Sequence, residues 1–278
     1  MRSRSSLFAQ SLTGTGLTAW VAIAVFPFFW MFLISFRAPV DAFSSTPTFF
    51  APMTLENFRH IWIEDGFWRF GINTAIVTLS TIAISLTIGC LAGYALARYR
   101  GSLGFWLLVG ALVFRALPHV VLLTAYKPTF YELGIWSRYE TLIIVLVAIN
   151  QPFTIWMLRA FFVSIPRELD EAAMTDGCSR WKAFRLVIVP VMWPGIITAG
   201  LFSFLLAYND FLIASQLMNG EMTTMTASLG NYMGQNKSME RLMHGIAGAV
   251  SVTIPIIVLI FIFQRQIVAG MTAGAVKG

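Results

Sequence analysis

Between Arg69 and Arg98 the chain carries no Asp, Glu, Lys or Arg. An uninterrupted apolar run of this kind is long enough to cross the hydrocarbon of a bilayer, which takes about 20 residues in a helix. Five more stretches satisfy the same length, so the expected spans are residues 17–36, 71–97, 101–126, 141–162, 186–209 and 242–264. Arg115 falls inside the third and Arg159 near the end of the fourth, while Pro190, Pro194, Gly195 and Gly200 interrupt the fifth. Charged residues make up 12% of the chain and mean hydropathy is +0.73. Soluble domains carry about 25% charged residues, and disorder needs low hydrophobicity. An all-α membrane protein follows, with six transmembrane helices in a single permeating domain over residues 1–278.

The net charge of +6 and isoelectric point near 9.6 raise the question of nucleic acid. The positive residues are scattered beside membrane segments, so topology accounts for them and no nucleic-acid partner is expected. The N-terminal tail, residues 98–104 and 159–189, and the C-terminal tail hold more Lys and Arg than Asp and Glu. Residues 37–70, 127–140 and 208–241 show the reverse. The positive-inside rule places the first set, with both termini, in the cytoplasm. The first apolar stretch is too long for a typical signal-peptide core and reads as an uncleaved helix. In the long outer loop, Thr54-Leu55-Glu56-Asn57-Phe58 suits the start of a short surface helix.

The most informative segment is the cytoplasmic loop at residues 163–190. Pro166 suits a helix entry, and Glu168, Asp170 and Glu171 complement the dipole of its first turns. Gly177 supplies a stop, and Ser179 can cap a second short helix. Leu169, Ala172, Ala173 and Asp176 recur at helical spacing, which predicts one small, mildly apolar face.

Glu171-Ala172-Ala173, then Gly177, then Val187-Ile188-Val189-Pro190 resembles the EAA motif of ABC importer permeases. Val187 and Val189 stand where that family's Ile-x-Leu-Pro ending has Ile and Leu. Ile165-Pro166, Glu168-Leu169 and Asp176-Gly177 also match, and the ending Gly270–Gly278 is similar to the tail of maltose-type carbohydrate permeases. The resemblance covers nearly the whole chain and implies the type I ABC importer permease fold. It implies that the loop is a coupling helix docking on a cytoplasmic ATPase, with Glu171, Ala172, Ala173, Asp176, Gly177 and Pro190 as its docking core. It further implies a second permease subunit in a heterodimer, two ATPase subunits that bind ATP and Mg, and an extracytoplasmic solute-binding protein. The cargo would be a sugar, oligosaccharide or polyol, and the setting the cytoplasmic (inner) membrane of a bacterium or archaeon. The C-terminal tail becomes a second coupling element by the same resemblance.

The chain has no Gly-x-x-x-x-Gly-Lys-[Ser/Thr] phosphate cradle and no HExxH or GxSxG, so neither its own ATP site nor catalytic residues are expected. His60, His119 and His244 are far apart, and Cys90 and Cys178 form no ligand pattern, so no metal site or cofactor is expected in this chain. A polar side chain at membrane depth is a functional candidate. Arg115, Asn150 and Gln151, with Asn209 and Asp210 near the outer mouth, are the substrate-path candidates. Two readings of them stand side by side: contact with a polyhydroxylated solute, or a hydrogen-bond network that holds helices together. Gly89 and Gly93 allow close helix approach. An ion-coupled secondary carrier is the alternative function. It is disfavoured because no carboxylate lies mid-membrane and no inverted repeat is evident. A membrane scaffold that recruits a cytosolic protein through the loop is a third.

Overall fold

A computed structural model describes residues 4–42, 52–115, 119–235 and 238–272. Among these residues every regular element is helical. That is the expected result for a chain in lipid, where backbone amides and carbonyls must find partners inside one segment or in a closed barrel. Among the described residues, four helices are long and apolar enough to cross a membrane: Leu12–Ser35, Phe67–Arg98, Tyr139–Ser164 and Met239–Ile267. The last begins before its predicted start at residue 242, and its regular geometry lapses at Phe263, next to the predicted end.

The third and fifth predicted spans take other forms. Residues 101–126 fall into two helices, Leu103–Arg115 and His119–Glu132. Arg115 ends the first, Lys127 and Pro128 lie inside the second, and residues 116–118 are outside the described set. Residues 186–209 belong to two helices, Arg180–Val191 and Trp193–Tyr208, which meet at a bend of 75°. Pro190 and Pro194 bracket the bend. Each lacks the amide that would continue the helical ladder, and each ring crowds the preceding turn.

The helices gather into two compact units. The first combines residues 1–67 with 232–254. Its N-terminal helix, Arg4–Ser35, buries none of its apolar span within the chain, so lipid or another subunit must cover that surface. The expected outer-loop helix forms at Glu56–Arg59 and continues through His60–Glu64. Thr54 Oγ1 accepts the Glu56 amide at 3.1 Å, and buried Asn57 donates to the carbonyls of Ser35 and Arg37 at 2.9 and 2.8 Å. Those two bonds satisfy carbonyls at the end of the N-terminal helix, which has no further turn to supply donors. Trp62 Nε1 donates to Ser251 Oγ at 2.9 Å and ties the segment to the last helix.

The second unit holds residues 68–231 and 255–278. One core packs Val77, Leu142, Leu146, Ala214 and Leu217. Another packs Leu158, Phe162, Phe184, Ile188 and Ala199. The glycines at 89 and 93 lie where the Phe67–Arg98 and Tyr139–Ser164 helices meet. A Cβ on Gly89 would sit 2.8 Å from Thr154 Cγ2, and one on Gly93 would sit 3.1 Å from the Arg159 backbone nitrogen. Thr74, Thr78, Thr81 and Ser85 run along the Phe67–Arg98 helix and are buried.

Candidate functional site

The loop folds as the sequence requires. Its first helix is Glu168–Thr175, and Gly177 follows with φ of +85°. The Cys178 amide donates to the Ala173 carbonyl at 3.0 Å and the Gly177 amide to Met174 at 3.1 Å. This pair of bonds is a Schellman closure, and its left-handed residue suits glycine. Ser179 then caps Arg180–Ala183, accepting the Lys182 amide at 3.3 Å. Pro166 precedes the first helix rather than opening it, since the helical turn begins at Glu168.

The predicted common face of this helix divides. Ala173 and Asp170 are buried, whereas Ala172 and Asp176 are exposed and Leu169 is half-buried. The outward stripe is Glu168, Glu171, Ala172 and Thr175, again at i, i+3, i+4 and i+7. The inward side is decided by a polar anchor. Arg98 Nη2 lies 2.7 Å from Asp170 Oδ2, with the side chains 17% and 13% exposed. The Tyr94 hydroxyl donates to Asp170 Oδ1. Arg98 also donates to the carbonyls of Phe162 and Ile165, both at 3.2 Å. Asp170 therefore joins the loop helix to the ends of two long helices, and the sequence reading had assigned it only to the helix dipole. The signal available was Tyr94 and Arg98, one turn apart at a helix end, with an acid in the facing loop.

The second loop helix leads into the bundle. Phe184 lies 4.8 Å from the Tyr94 ring centroid and 6.3 Å from that of Phe162. Ile188 is fully buried. Pro190 is exposed, two residues before the break at Met192. The chain from the Gly177 stop to the Trp193–Tyr208 helix is thus built into the core rather than suspended from it.

A cavity of about 390 Å³ opens between Leu103–Arg115, His119–Glu132 and Tyr139–Ser164. Arg115, Tyr126, Phe130, Ala148 and Pro152 are among its lining residues. The Arg115 guanidinium carbon lies 4.7 Å from the Phe153 ring centroid. Pro152 removes the amide that Ala148's carbonyl would otherwise accept in a regular helix.

Of the five predicted path residues, only Arg115 lines this cavity. Asn150 is fully buried and donates to Ser203 Oγ at 2.8 Å on the Trp193–Tyr208 helix. Gln151 donates to the Ser85 carbonyl at 3.3 Å. Asn209 folds back on the Leu205 carbonyl at 3.0 Å. Asp210 Oδ1 accepts the Ala214 amide at 2.9 Å and its carbonyl accepts Thr226 Oγ1 at 2.8 Å. Burial pushes the Asp210 carboxyl up to about 6, against the opposing hydrogen bonds from the Ala214 and Ile213 amides. The aromatic walls, Tyr126 and Phe130, were missed because periodicity alone does not separate lipid-facing from cavity-facing aromatics. The polar stripe was missed as well. Thr78, Thr81 and Ser85 hydroxyl oxygens, with Asn150 Oδ1 and Gln151 Oε1, are buried with no hydrogen-bond partner among the described residues.

Residues 85–273 match the family described as binding-protein-dependent transport system inner membrane component. The trehalose transport system permease protein SugB of Mycobacterium tuberculosis is 36% identical over 260 residues, covering 93% of this chain and 94% of its own. The diacetylchitobiose uptake system permease protein DasC of Streptomyces coelicolor is 34% identical, covering 91% and 92%. In solved structures the fold is similar to a chain of a bacterial ABC transporter involved in the import of the acidic polysaccharide alginate. That likeness has a TM-score of 0.78 at 21% identity, over 95% of this chain and 98% of the other. The apolar helices, the loop closed at Gly177 and the match over residues 85–273 agree, and this chain belongs to the inner membrane components of binding-protein-dependent transport systems.

Proposed function

We propose that this chain is one half of the membrane pathway of an ATP-driven importer for a carbohydrate or polyol, with both termini in the cytoplasm. ATP and Mg act on two separate ATPase subunits, a second and different permease completes the pathway, and a binding protein delivers solute at the outer face. The observation that carries the reading is the rigid path from the exposed stripe Glu168, Glu171, Ala172 and Thr175, through the Asp170 anchor and Phe184, to the bent Trp193–Tyr208 helix. A partner pressing on that stripe moves the bundle, because packed helices shift as bodies. Ala172 and Gly177 offer it a small surface, and Asp176 and Pro190 mark the two limits of the docking segment. The buried hydroxyls and amide oxygens without partners among the described residues support alternating access. Unpaired polar groups at membrane depth are costly, and they gain water or solute when the helices part.

The loop is tested by Gly177→Asp. A Cβ at Gly177 meets nothing within 4 Å, so the left-handed backbone costs about 1 kcal/mol. Purified complex should therefore lose only a few degrees of Tm. ATP-driven uptake in proteoliposomes should fall at least tenfold, with less ATPase co-purifying. Unchanged uptake and assembly would remove the docking role.

The cavity is tested by Arg115→Ala, which deletes the one charged group among the described residues of a mostly aromatic and aliphatic wall. A guanidinium pairs with vicinal hydroxyls through its fixed fork of donors. The expected result is a tenfold rise in apparent KM for uptake, with assembly intact. An unaltered KM would make Arg115 a structural residue. Uptake measured with a panel of disaccharides and polyols identifies the cargo, and uptake that persists without ATP would point to the ion-coupled carrier instead.

A further inference from the structure

Three side chains that are remote in sequence meet in the first compact unit. His60, Asp65 and His244 each place one ligand atom within 4.8 Å of the others. The two imidazoles stack at 3.9 Å between centroids with a 19° interplanar angle. His60 Nδ1 is 3.2 Å from Asp65 Oδ2, and its Nε2 is 3.3 Å from Glu64 Oε2. The Tyr232 hydroxyl lies 2.8 Å from Asp65 Oδ2 and 3.4 Å from His244 Nδ1. His60 and Asp65 are about one-third exposed, so solvent and ions reach the cluster.

We propose that His60, Asp65 and His244 bind a divalent transition-metal ion, with zinc the best fit, and that the ion ties the Glu56–Glu64 segment to the start of the C-terminal helix. Two imidazoles and one carboxylate are a zinc ligand set, with the fourth position left to water. In a tetrahedral site with ligand bonds of about 2.0–2.1 Å, neighbouring ligand atoms are roughly 3.4 Å apart. The three groups close to that spacing by small turns of the side chains, during which the stacked rings swing their nitrogens toward one point. Oxygen-seeking Mg and Ca are poor competitors, because imidazole is a poor ligand for hard cations.

The surroundings suit the same ion. When His60 binds through Nδ1, its Nε2–H is left to donate to Glu64. That contact is the carboxylate partner that usually orients a metal-bound histidine. Tyr232 orients the Asp65 carboxylate in the same manner. The nearby cations are held by neighbouring groups. Arg59 sits by Glu56 at 3.8 Å and Glu64 at 4.0 Å, and the Arg241 guanidinium carbon lies 4.6 Å from the Tyr232 ring centroid. No ligand spacing is visible along the chain because the two histidines are 184 residues apart. The inference does not depend on the coupling role of the loop.

The test uses the full chain, purified in detergent with a tag that contains no histidine, stripped with EDTA and then equilibrated with zinc. Bound metal is measured by mass spectrometry, and affinity by competition with a chromophoric chelator. One zinc per chain is expected. His60→Gln, His244→Gln and Asp65→Asn should each weaken binding by at least tenfold, and the double histidine variant should lose it. Magnesium should not compete. A zinc-induced rise in Tm, present in the natural chain and absent in the double variant, reads the tie between the two segments. Equal Tm values in EDTA establish that each variant is folded. Substoichiometric zinc in the natural chain, or zinc retained by the double variant, overturns the proposal whether or not uptake is ATP-driven.

Discussion

Replacing Asp170 by alanine should abolish ATP-driven uptake and lower the stability of the chain by about 3 kcal/mol. The Asp170 side chain is 13% exposed, lies 2.7 Å from Arg98 and accepts the Tyr94 hydroxyl. Removing it leaves a guanidinium 17% exposed, with the Phe162 and Ile165 carbonyls and the Tyr94 ring beside it but no counter-charge among the described residues. Breaking one side of a buried pair costs far more than the pair contributes, because the remaining charge stays desolvated. Asp170→Asn keeps the shape and the Tyr94 contact, so its loss should be smaller. The double change Arg98→Met with Asp170→Leu separates stability from coupling. It should recover most of the lost Tm by restoring apolar packing, while uptake stays low because the loop is no longer held in register. Tm of the purified complex and uptake in proteoliposomes measure the two effects. Full uptake by Asp170→Ala would show that the anchor has no part in transmission.

Gly93→Val should prevent the chain from accumulating in the membrane. At this position a Cβ would lie 3.1 Å from the Arg159 nitrogen and 3.2 Å from Leu158 Cβ. The first of these is backbone and cannot rotate away, so the two helices must separate. Valine adds two more carbons at that point, and overpacking of this kind costs about 3 kcal/mol. Gly93→Ala should cost about 1 kcal/mol, since the contacts to Arg159 and Leu158 must each give by only a few tenths of an ångström. Gly110 supplies the contrast. Its Cβ would meet nothing within 4 Å, and Gly110→Ala should hold or slightly raise Tm because alanine favours the helix. Expression level and Tm in detergent check all three. If Gly93→Val accumulates normally, the close approach of these helices is not needed.

Both predictions rest on one arrangement. The last third of one helix carries both Gly89 and Gly93 and, at its end, Tyr94 and Arg98. Its close contact with the Tyr139–Ser164 helix fixes where Arg98 can meet Asp170. A loosened glycine seam and a broken anchor should therefore share a phenotype in uptake but not in assembly. Gly93 changes should lower chain abundance, and Asp170 changes should lower transport per chain.

The sequence by itself determined whatever depends on neighbours along the chain. Uncharged apolar runs specify four of the long helices, since water cannot satisfy their backbone in lipid. Gly177 and Ser179 specify the stop and restart of the loop, because a left-handed residue and a side-chain cap are local requirements. Gly89 and Gly93 were legible as a seam for the same reason. The tertiary structure alone decided which polar groups meet. Asn150 turned to Ser203, Asp170 to Arg98, and His60 to His244, and each pairing joins segments that no spacing rule connects. It also decided the 75° bend between Arg180–Val191 and Trp193–Tyr208. Prolines mark where a helix can break, but the packing of Phe184, Ile188 and Ile196 against the core fixes the direction in which it turns.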